Sequence, residues 1–242
     1  MLKKKFKLLL VSFLLLNSLT FSNLLLTNAT GLICFPDAYT LRPNNFRLGA
    51  SFQKLRNRGV LFGFLEWGFL PQLEVGLQAA SDNVTKINNR LLLSNIKYQL
   101  LKTPDGLALA VGYTQGYIPY VYSVLTKSIM FKNLPSAILL NGGIKYNKFH
   151  QADAFSGLKL PLTKGFSLML EGYTYHESSD EMVGLDYDGS DFNDKVEVDR
   201  KIRYSFNIGA KFRTTNDLVT ELFWRQHDKS FGLALDYLGI YQ

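Results

Sequence analysis

The feature that most constrains this sequence is a period-two alternation of apolar and polar side chains, which recurs along most of the chain. In residues 46–53, Phe, Leu, Ala and Phe alternate with Arg, Gly, Ser and Gln. Successive side chains of a β-strand point to opposite faces, so this pattern predicts strands with one apolar face. Nine segments show it clearly: 46–53, 73–80, 92–100, 107–114, 138–146, 166–173, 202–212, 218–225 and 231–241.

Three weaker segments, 60–68, 121–131 and 154–160, fill the gaps between the clear ones. Together they predict about twelve strands, with ten or fourteen as alternatives. The first weak segment contains a conflict, because Glu66 shares a face with Phe62 and Phe64 unless a bulge near Gly63 shifts the register.

The connections between these segments alternate between short turns and longer polar links. The short ones carry Pro, Gly, Asn and Asp, as tight turns do. An even number of strands, with short turns at one end and longer loops at the other, is typical of bacterial outer-membrane barrels. The pattern therefore predicts an all-β, closed, antiparallel up-and-down transmembrane barrel, with both termini at the short-turn end. The short turns are 70–72, 103–106, 133–135, 163–165 and 214–217, and the longer links are 54–59, 81–89, 114–120, 147–153, 176–200 and 226–230.

The N-terminus has the order of a secretory signal peptide. Four lysines within residues 3–7 precede an apolar run over 8–16, and polar and small residues follow as far as Ala29. This order predicts cleavage after Ala29. The alternative is a membrane-anchoring helix, but polar residues within 17–23 interrupt the span that such a helix needs. The predicted organisation is a signal peptide over 1–29, an N-terminal periplasmic extension over 30–44 and a β-barrel domain over 45–242.

The net charge and the single cysteine exclude several classes of protein. The formal charge is +7, and removing the four signal-peptide lysines leaves +3 for the mature chain. That balance, without a basic patch, does not predict nucleic-acid binding. Cys34 is the only cysteine, so no disulfide forms within the chain. Ile33 precedes it where a lipoprotein signal has a small residue, so an unmodified thiol is expected.

The two faces of the predicted strands differ in a way that favours a lipid environment. A bilayer requires every backbone polar group to be paired within the protein, which strands achieve only in a closed barrel. The apolar faces are continuous, whereas the polar faces are rich in Gly, Ala, Ser and Asn with few charges. A soluble barrel or sandwich, the competing architecture, would carry a thoroughly charged outer face. Aromatic residues at the strand ends are expected to form two interfacial girdles. These are Phe46, Phe166, Phe212 and Tyr241 at the turn end, and Phe52, Tyr113, Tyr146, Trp224 and Phe231 at the loop end.

The signal peptide, the alternating segments and the final segment from Phe231 to Gln242 resemble the porin-like class of bacterial outer-membrane β-barrels. The resemblance covers essentially the mature chain. It implies an outer-membrane location, with outer-membrane lipids and the barrel-assembly machinery as partners and no cofactor. In that class the last strand usually ends on an aromatic residue, whereas here Tyr241 is followed by Gln242.

Charged residues predicted to face the lumen cluster on the last four strands. Opposite charges on neighbouring strands can form ion pairs that fix the wall, or can line a small passive channel for small polar solutes. A structural or surface-interaction barrel without transport is the alternative to a channel. The predicted lumen-lining charges are Glu171, Arg203, Lys211, Glu221, Arg225 and Asp236.

The sequence offers weak support for metal binding or catalysis. Asp186, Asp188 and Asp191 in the long acidic link resemble a cation-binding loop, but their spacing does not match the helix-flanked calcium motif. No catalytic or metal motif is present, and no enzyme activity is predicted. An outer-membrane lipid hydrolase is the remaining enzymatic alternative, because histidines and serines lie together in the predicted outer links. The histidines are His150, His176 and His227.

Overall fold

The computed structural model describes residues 31, 33–54, 59–82, 90–115, 119–147, 151–176, 202–215, 217–227 and 229–240. The predicted signal peptide and the girdle residue Tyr241 lie outside these residues. Within them, no helix is long and apolar enough to cross a membrane. The strands are β1 (Asn45–Lys54), β2 (Gly59–Leu70), β3 (Leu73–Asp82), β4 (Arg90–Lys102), β5 (Leu107–Gln115), β6 (Tyr120–Ile129), β7 (Ile138–Asn147), β8 (Ala152–Pro161), β9 (Phe166–His176), β10 (Ile202–Arg213), β11 (Leu218–Arg225) and β12 (Ser230–Ile240).

The twelve strands form one closed barrel. Each strand pairs antiparallel with its neighbours in sequence, and β12 pairs with β1. The closing register places Asn45 opposite Ile240 and Lys54 opposite Phe231. Closure leaves no unpaired strand edge. The predicted twelve-stranded up-and-down barrel is confirmed.

The alternation places apolar side chains outside and polar side chains inside. On β1, Leu48 is 52% exposed on the outer face, whereas Gln53 on the inner face is 1% exposed. The same contrast holds on β12, where Leu233 and Leu235 are exposed and Asp236 is buried. The barrel therefore has an apolar outer surface around a largely polar wall.

The conflict predicted on β2 is resolved without a bulge near Gly63. Pairing with β3 is regular from Val60 to Gly68, and the irregularity falls between Gly68 and Leu70. Phe62 and Glu66 are both buried inside the barrel. The interior accepts both side chains because it contains apolar clusters as well as ion pairs.

Links of two to eight residues join the strands at the end of the barrel that holds the start of β1 and the end of β12. Two residues, Pro71 and Gln72, link β2 to β3, and Gln72 has a φ of 69°. Gly106 closes the β4–β5 turn with a φ of 85°, a conformation in which glycine avoids the clash of a Cβ atom. We call this the turn end, and the opposite end the loop end.

Residues 33–41, which belong to the stretch expected as a periplasmic extension over 30–44, lie inside the barrel. The chain folds back at the turn end, where the Asn44 amide donates to the Gly68 carbonyl oxygen at 2.9 Å. The preceding residues run into the interior, and Phe35 and Ala38 are buried there among side chains of β5, β6 and β8. We refer to residues 33–41 as the inner segment. No pattern in the sequence indicates this position, because its partners lie far along the chain.

Candidate functional site: the barrel interior

An ion-pair network lies on the wall near the turn end, across β2, β1, β12, β11 and β10. The Arg47 guanidinium lies 3.2 Å from the Glu66 carboxylate, 2.5 Å from that of Asp236 and 3.9 Å from that of Glu221. Lys211 pairs in turn with Glu221, its direct partner across β10 and β11. These ion pairs therefore link five consecutive strands of the wall, with Arg47 contacting Glu221 across β12.

The structure places the six predicted lumen charges at different heights. Glu221, Asp236 and Lys211 belong to the network near the turn end. Glu171 is buried near mid-height, and Arg225 is buried nearer the loop end, with its Nη1 atom 3.5 Å from Gln53 Oε1. Arg203 is exposed at the loop end of β10.

Several interior charges were missing from the sequence prediction, among them Arg47, Glu66, Glu74 and Lys97. Their signal was present, since Arg47 alternates with apolar neighbours on β1 and Lys97 does so on β4. Lys97 and Glu74 are both fully buried, with Nζ 3.2 Å from Oε1. Both residues also contact the inner segment, Lys97 at Asp37 and Glu74 at Leu41.

The side chain of Glu171 binds the main chain of the inner segment at its first three residues, 33–35. One carboxylate oxygen accepts hydrogen bonds from the amides of Ile33 at 2.8 Å, Cys34 at 2.9 Å and Phe35 at 3.1 Å. The other accepts from the Cys34 amide at 3.0 Å and from Asn207 Nδ2 at 2.8 Å. Successive amides around one anion form a compact anion-binding arrangement, here filled by a buried side chain.

Further wall residues bind the rest of the inner segment. Ala38 donates its amide to the Thr126 hydroxyl at 2.7 Å and accepts a hydrogen bond from Gln99 Nε2 at 2.7 Å. The Leu41 amide donates to Glu74 at 2.9 Å. Both main-chain polar atoms of Ala38 are therefore satisfied by wall side chains.

Asp37 is the charged residue of the inner segment. Its carboxylate lies 3.9 Å from Lys97 Nζ and accepts a hydrogen bond from the Tyr39 amide at 3.0 Å. Burial raises the pKa of the Asp37 carboxyl above its ordinary value, although the Lys97 ammonium acts in the opposite direction.

Apolar contacts complete the packing of the inner segment. Phe35 stacks on Phe155 with ring centroids 4.7 Å apart and lies 5.1 Å from the Tyr173 ring. Ile33 packs in a second cluster with side chains that include Phe62 and Phe223, and Cys34 touches both clusters.

The loop end of the interior holds a smaller polar group. His176 Nδ1 lies 3.0 Å from Asp153 Oδ1, and Lys145 lies 3.5 Å from the other oxygen of the same carboxylate. The His227 ring makes an edge contact with Tyr175, with centroids 4.2 Å apart. In the part of the chain that the structure describes, no three His, Cys, Asp or Glu side chains form a metal-binding group. His150 and the suggested cation-binding residues Asp186, Asp188 and Asp191 lie outside the described residues.

Comparison with solved structures finds the same fold in porins. The NanC porin matches with a TM-score of 0.53 at 7% identity, over 81% of this chain and 100% of that one. The KdgM porin matches with a TM-score of 0.53 at 8% identity, over 79% and 98%. A structure of KdgM porin in complex with disordered oligogalacturonate gives 0.53 at 7% identity, over 80% and 98%. No family model matches the sequence, and no curated protein matches it significantly. The likeness is therefore one of fold.

Proposed function

We propose that this protein, after signal-peptide cleavage, is an outer-membrane channel for small polar solutes, closed in the present structure by its inner segment. The apolar outer surface and the closed wall satisfy what a bilayer demands of a spanning barrel. The fold shared with the NanC and KdgM porins supports the same assignment.

The observation that carries the proposal is that the interior of the barrel is occupied by the inner segment as well as by side chains of the wall. Among the described residues, the chain continues from the inner segment into the wall at the turn end, through the residues around Asn44. The contacts that keep the inner segment inside the barrel are hydrogen bonds to wall side chains and apolar packing. They can be broken without separating any pair of strands. Withdrawal of the segment towards the turn end would therefore leave the barrel closed as a sheet but open as a passage.

Polar wall groups without protein partners also favour an interior that can take up water. Gln78 Oε1, both polar atoms of the Asn95 amide and the Tyr122 hydroxyl make no hydrogen bond within the described protein, and these side chains are 3%, 1% and 4% exposed. An unpaired buried polar group costs about 1–3 kcal/mol. Opening the passage would hydrate these groups, and this gain would offset part of the free energy needed to release the inner segment from the wall.

Planar-bilayer conductance tests this proposal. We expect the mature chain to conduct weakly, and a variant lacking residues 31–41 to show larger, discrete current steps because the passage is cleared. In the deleted chain, Arg203→Glu at the loop end should shift the ion preference towards cations, since a local positive charge becomes negative. Both chains must first show the heat-modifiable gel mobility of folded barrels.

A structural barrel without transport is the second candidate, and the close packing around Phe35 and Ile33 favours it. The same deletion separates the two proposals. A folded deletion variant that stays silent in bilayers would contradict the channel and support the structural role.

A further inference from the structure

The contacts that hold the inner segment are made largely to its main chain. Polar side chains of the wall bind the peptide groups of five of its residues, and they do so on four different strands. A main-chain atom is the same in every residue except proline, so such contacts tolerate different sequences. They are the three amides of residues 33–35 on Glu171, the amide and carbonyl of Ala38 on Thr126 and Gln99, and the amide of Leu41 on Glu74.

The Glu171 position is suited to the amino end of a peptide. Its carboxylate is buried and already accepts from three consecutive amides, and Asn207 holds it in place at 2.8 Å. A free α-ammonium group followed by its first amide would offer the same carboxylate several N–H donors of the same kind, with the added attraction of opposite charge. Charge-assisted hydrogen bonds of this type are stronger than neutral ones.

The Thr126 and Gln99 position recognises both main-chain polar atoms of one residue. The Thr126 hydroxyl accepts an N–H while Gln99 Nε2 donates to the C=O of the same residue, both at 2.7 Å. A solute with only ether oxygens has no donor for the Thr126 hydroxyl, and a solute with hydroxyl groups reproduces the pair only where two of them have the spacing of the N–H and C=O of one residue. Phe155, in the same apolar cluster as Ala38, and the cluster around Phe62 that packs Ile33 offer apolar surfaces for side chains.

We propose that Glu171, Thr126, Gln99 and Glu74 form a binding site for short peptides with a free amino terminus, which compete with the inner segment and are the solutes that the channel admits. This inference rests on the proposed function, because it assigns a solute class to the same passage. The inner segment is then both the closure of the channel and an internal occupant of its solute site.

Cys34 provides the readout for a test in the full mature chain. It is the single cysteine and lies half-buried between the two apolar clusters, so a maleimide should modify it slowly while the inner segment is in place. The folded protein in detergent micelles is titrated with tri-alanine while the rate of modification is followed. The modification rate follows the fraction of barrels in which the inner segment has left its site. By mass action, this rate should rise about tenfold when the tri-alanine concentration reaches ~10 times the dissociation constant of tri-alanine from the vacated site.

Two other solutes and one variant act as controls. Triethylene glycol has a similar length but no N–H donor, and should leave the rate unchanged. N-acetyl-tri-alanine amide keeps the peptide groups without the ammonium, and should act only at higher concentration. Asp37→Asn removes the ion pair with Lys97 and so weakens the binding of the inner segment to the wall, while the wall itself is unchanged. A lower concentration of tri-alanine should then give the same modification rate.

The outcomes separate the two proposals. No acceleration by tri-alanine in either the parent chain or Asp37→Asn would overturn peptide recognition, as would equal acceleration by triethylene glycol. Rapid modification of Cys34 in the parent chain without any solute would instead contradict closure by the inner segment, and hence the proposed function itself.

Discussion

At the scale of single residues, the interior is shaped by aromatic rings that lie over glycines of the adjacent strand. In each case the two residues are direct cross-strand partners, and a Cβ atom built on the glycine would come within 2.4 Å of the ring. Glycine is expected where another group approaches the backbone this closely. Folding the rings against the wall leaves space for the inner segment. The pairs are Gly49 with Phe64, Gly112 with Tyr122, Gly143 with Phe155 and Gly232 with Phe223.

Two adjacent glycines on β7 give a matched test of this packing. A Cβ at Gly143 would lie 2.4 Å from Phe155 and 2.5 Å from the Ser123 carbonyl oxygen, whereas a Cβ at Gly142 meets nothing within 4 Å. Gly143→Val should therefore lower the free energy of unfolding by about 1–3 kcal/mol or more through overpacking. Gly142→Val should leave it nearly unchanged. Urea unfolding in lipid vesicles measures both, and equal midpoints for the two variants would contradict the ring-over-glycine arrangement.

At the scale of elements, the strands follow from local alternation and the turns from local polar contacts. The β4–β5 turn shows this, since Asp105 accepts hydrogen bonds from the Thr103 hydroxyl and from Lys127 Nζ, the latter at 2.6 Å. These hydrogen bonds lower the pKa of the Asp105 carboxyl to about 2. A carboxyl whose pKa is lower in the folded state stabilises that state above its unfolded pKa, and the contribution disappears as the pH falls through the folded value.

The Asp105 contribution should therefore depend on pH in a defined window. Asp105→Asn should lower the melting temperature modestly at pH 7, and the difference from the parent chain should shrink between about pH 4 and pH 2. The effect is small because the pair is largely exposed. Asp217→Asn in the β10–β11 turn is the control. A pH-independent difference for Asp105→Asn would show that the carboxylate charge is not what stabilises the turn.

At the scale of the whole molecule, the closed wall separates an apolar exterior from a charged and partly aromatic interior. Leu235 at the centre of β12 faces outward and is 47% exposed, while Phe231 at the loop end of the same strand is 65% exposed. Such a surface is disfavoured in water and favoured in lipid.

A membrane environment predicts that the cost of an outward charge depends on depth. Leu235→Arg should destabilise the folded barrel in lipid vesicles by about 2–4 kcal/mol, and Phe231→Arg near the interface by only about 0–1 kcal/mol. Equilibrium unfolding in vesicles measures both. If the two substitutions cost the same small amount, the outer face does not lie in lipid and the soluble alternative is favoured.

The sequence by itself determined the strands, the faces and the closure of the barrel. These features depend on residues that are close in the chain or on a pattern repeated along it, as in 46–53 and 231–241. Alternation of apolar and polar residues indicates which side chains share a face of a strand. Four of the six charges named from this alternation lie buried on the inner wall, namely Glu171, Glu221, Arg225 and Asp236.

Only the tertiary structure decided how the interior is used. On β2 the pattern was ambiguous, since Phe62 and Glu66 share a face in a wall that takes both apolar and charged side chains. The inner segment could not be predicted at all, because its main partner, Glu171, lies 137 residues beyond Cys34 and binds main-chain amides that carry no sequence signal. Because contacts to the main chain leave no pattern in the sequence, only the three-dimensional structure shows that the inner segment occupies the interior of the barrel.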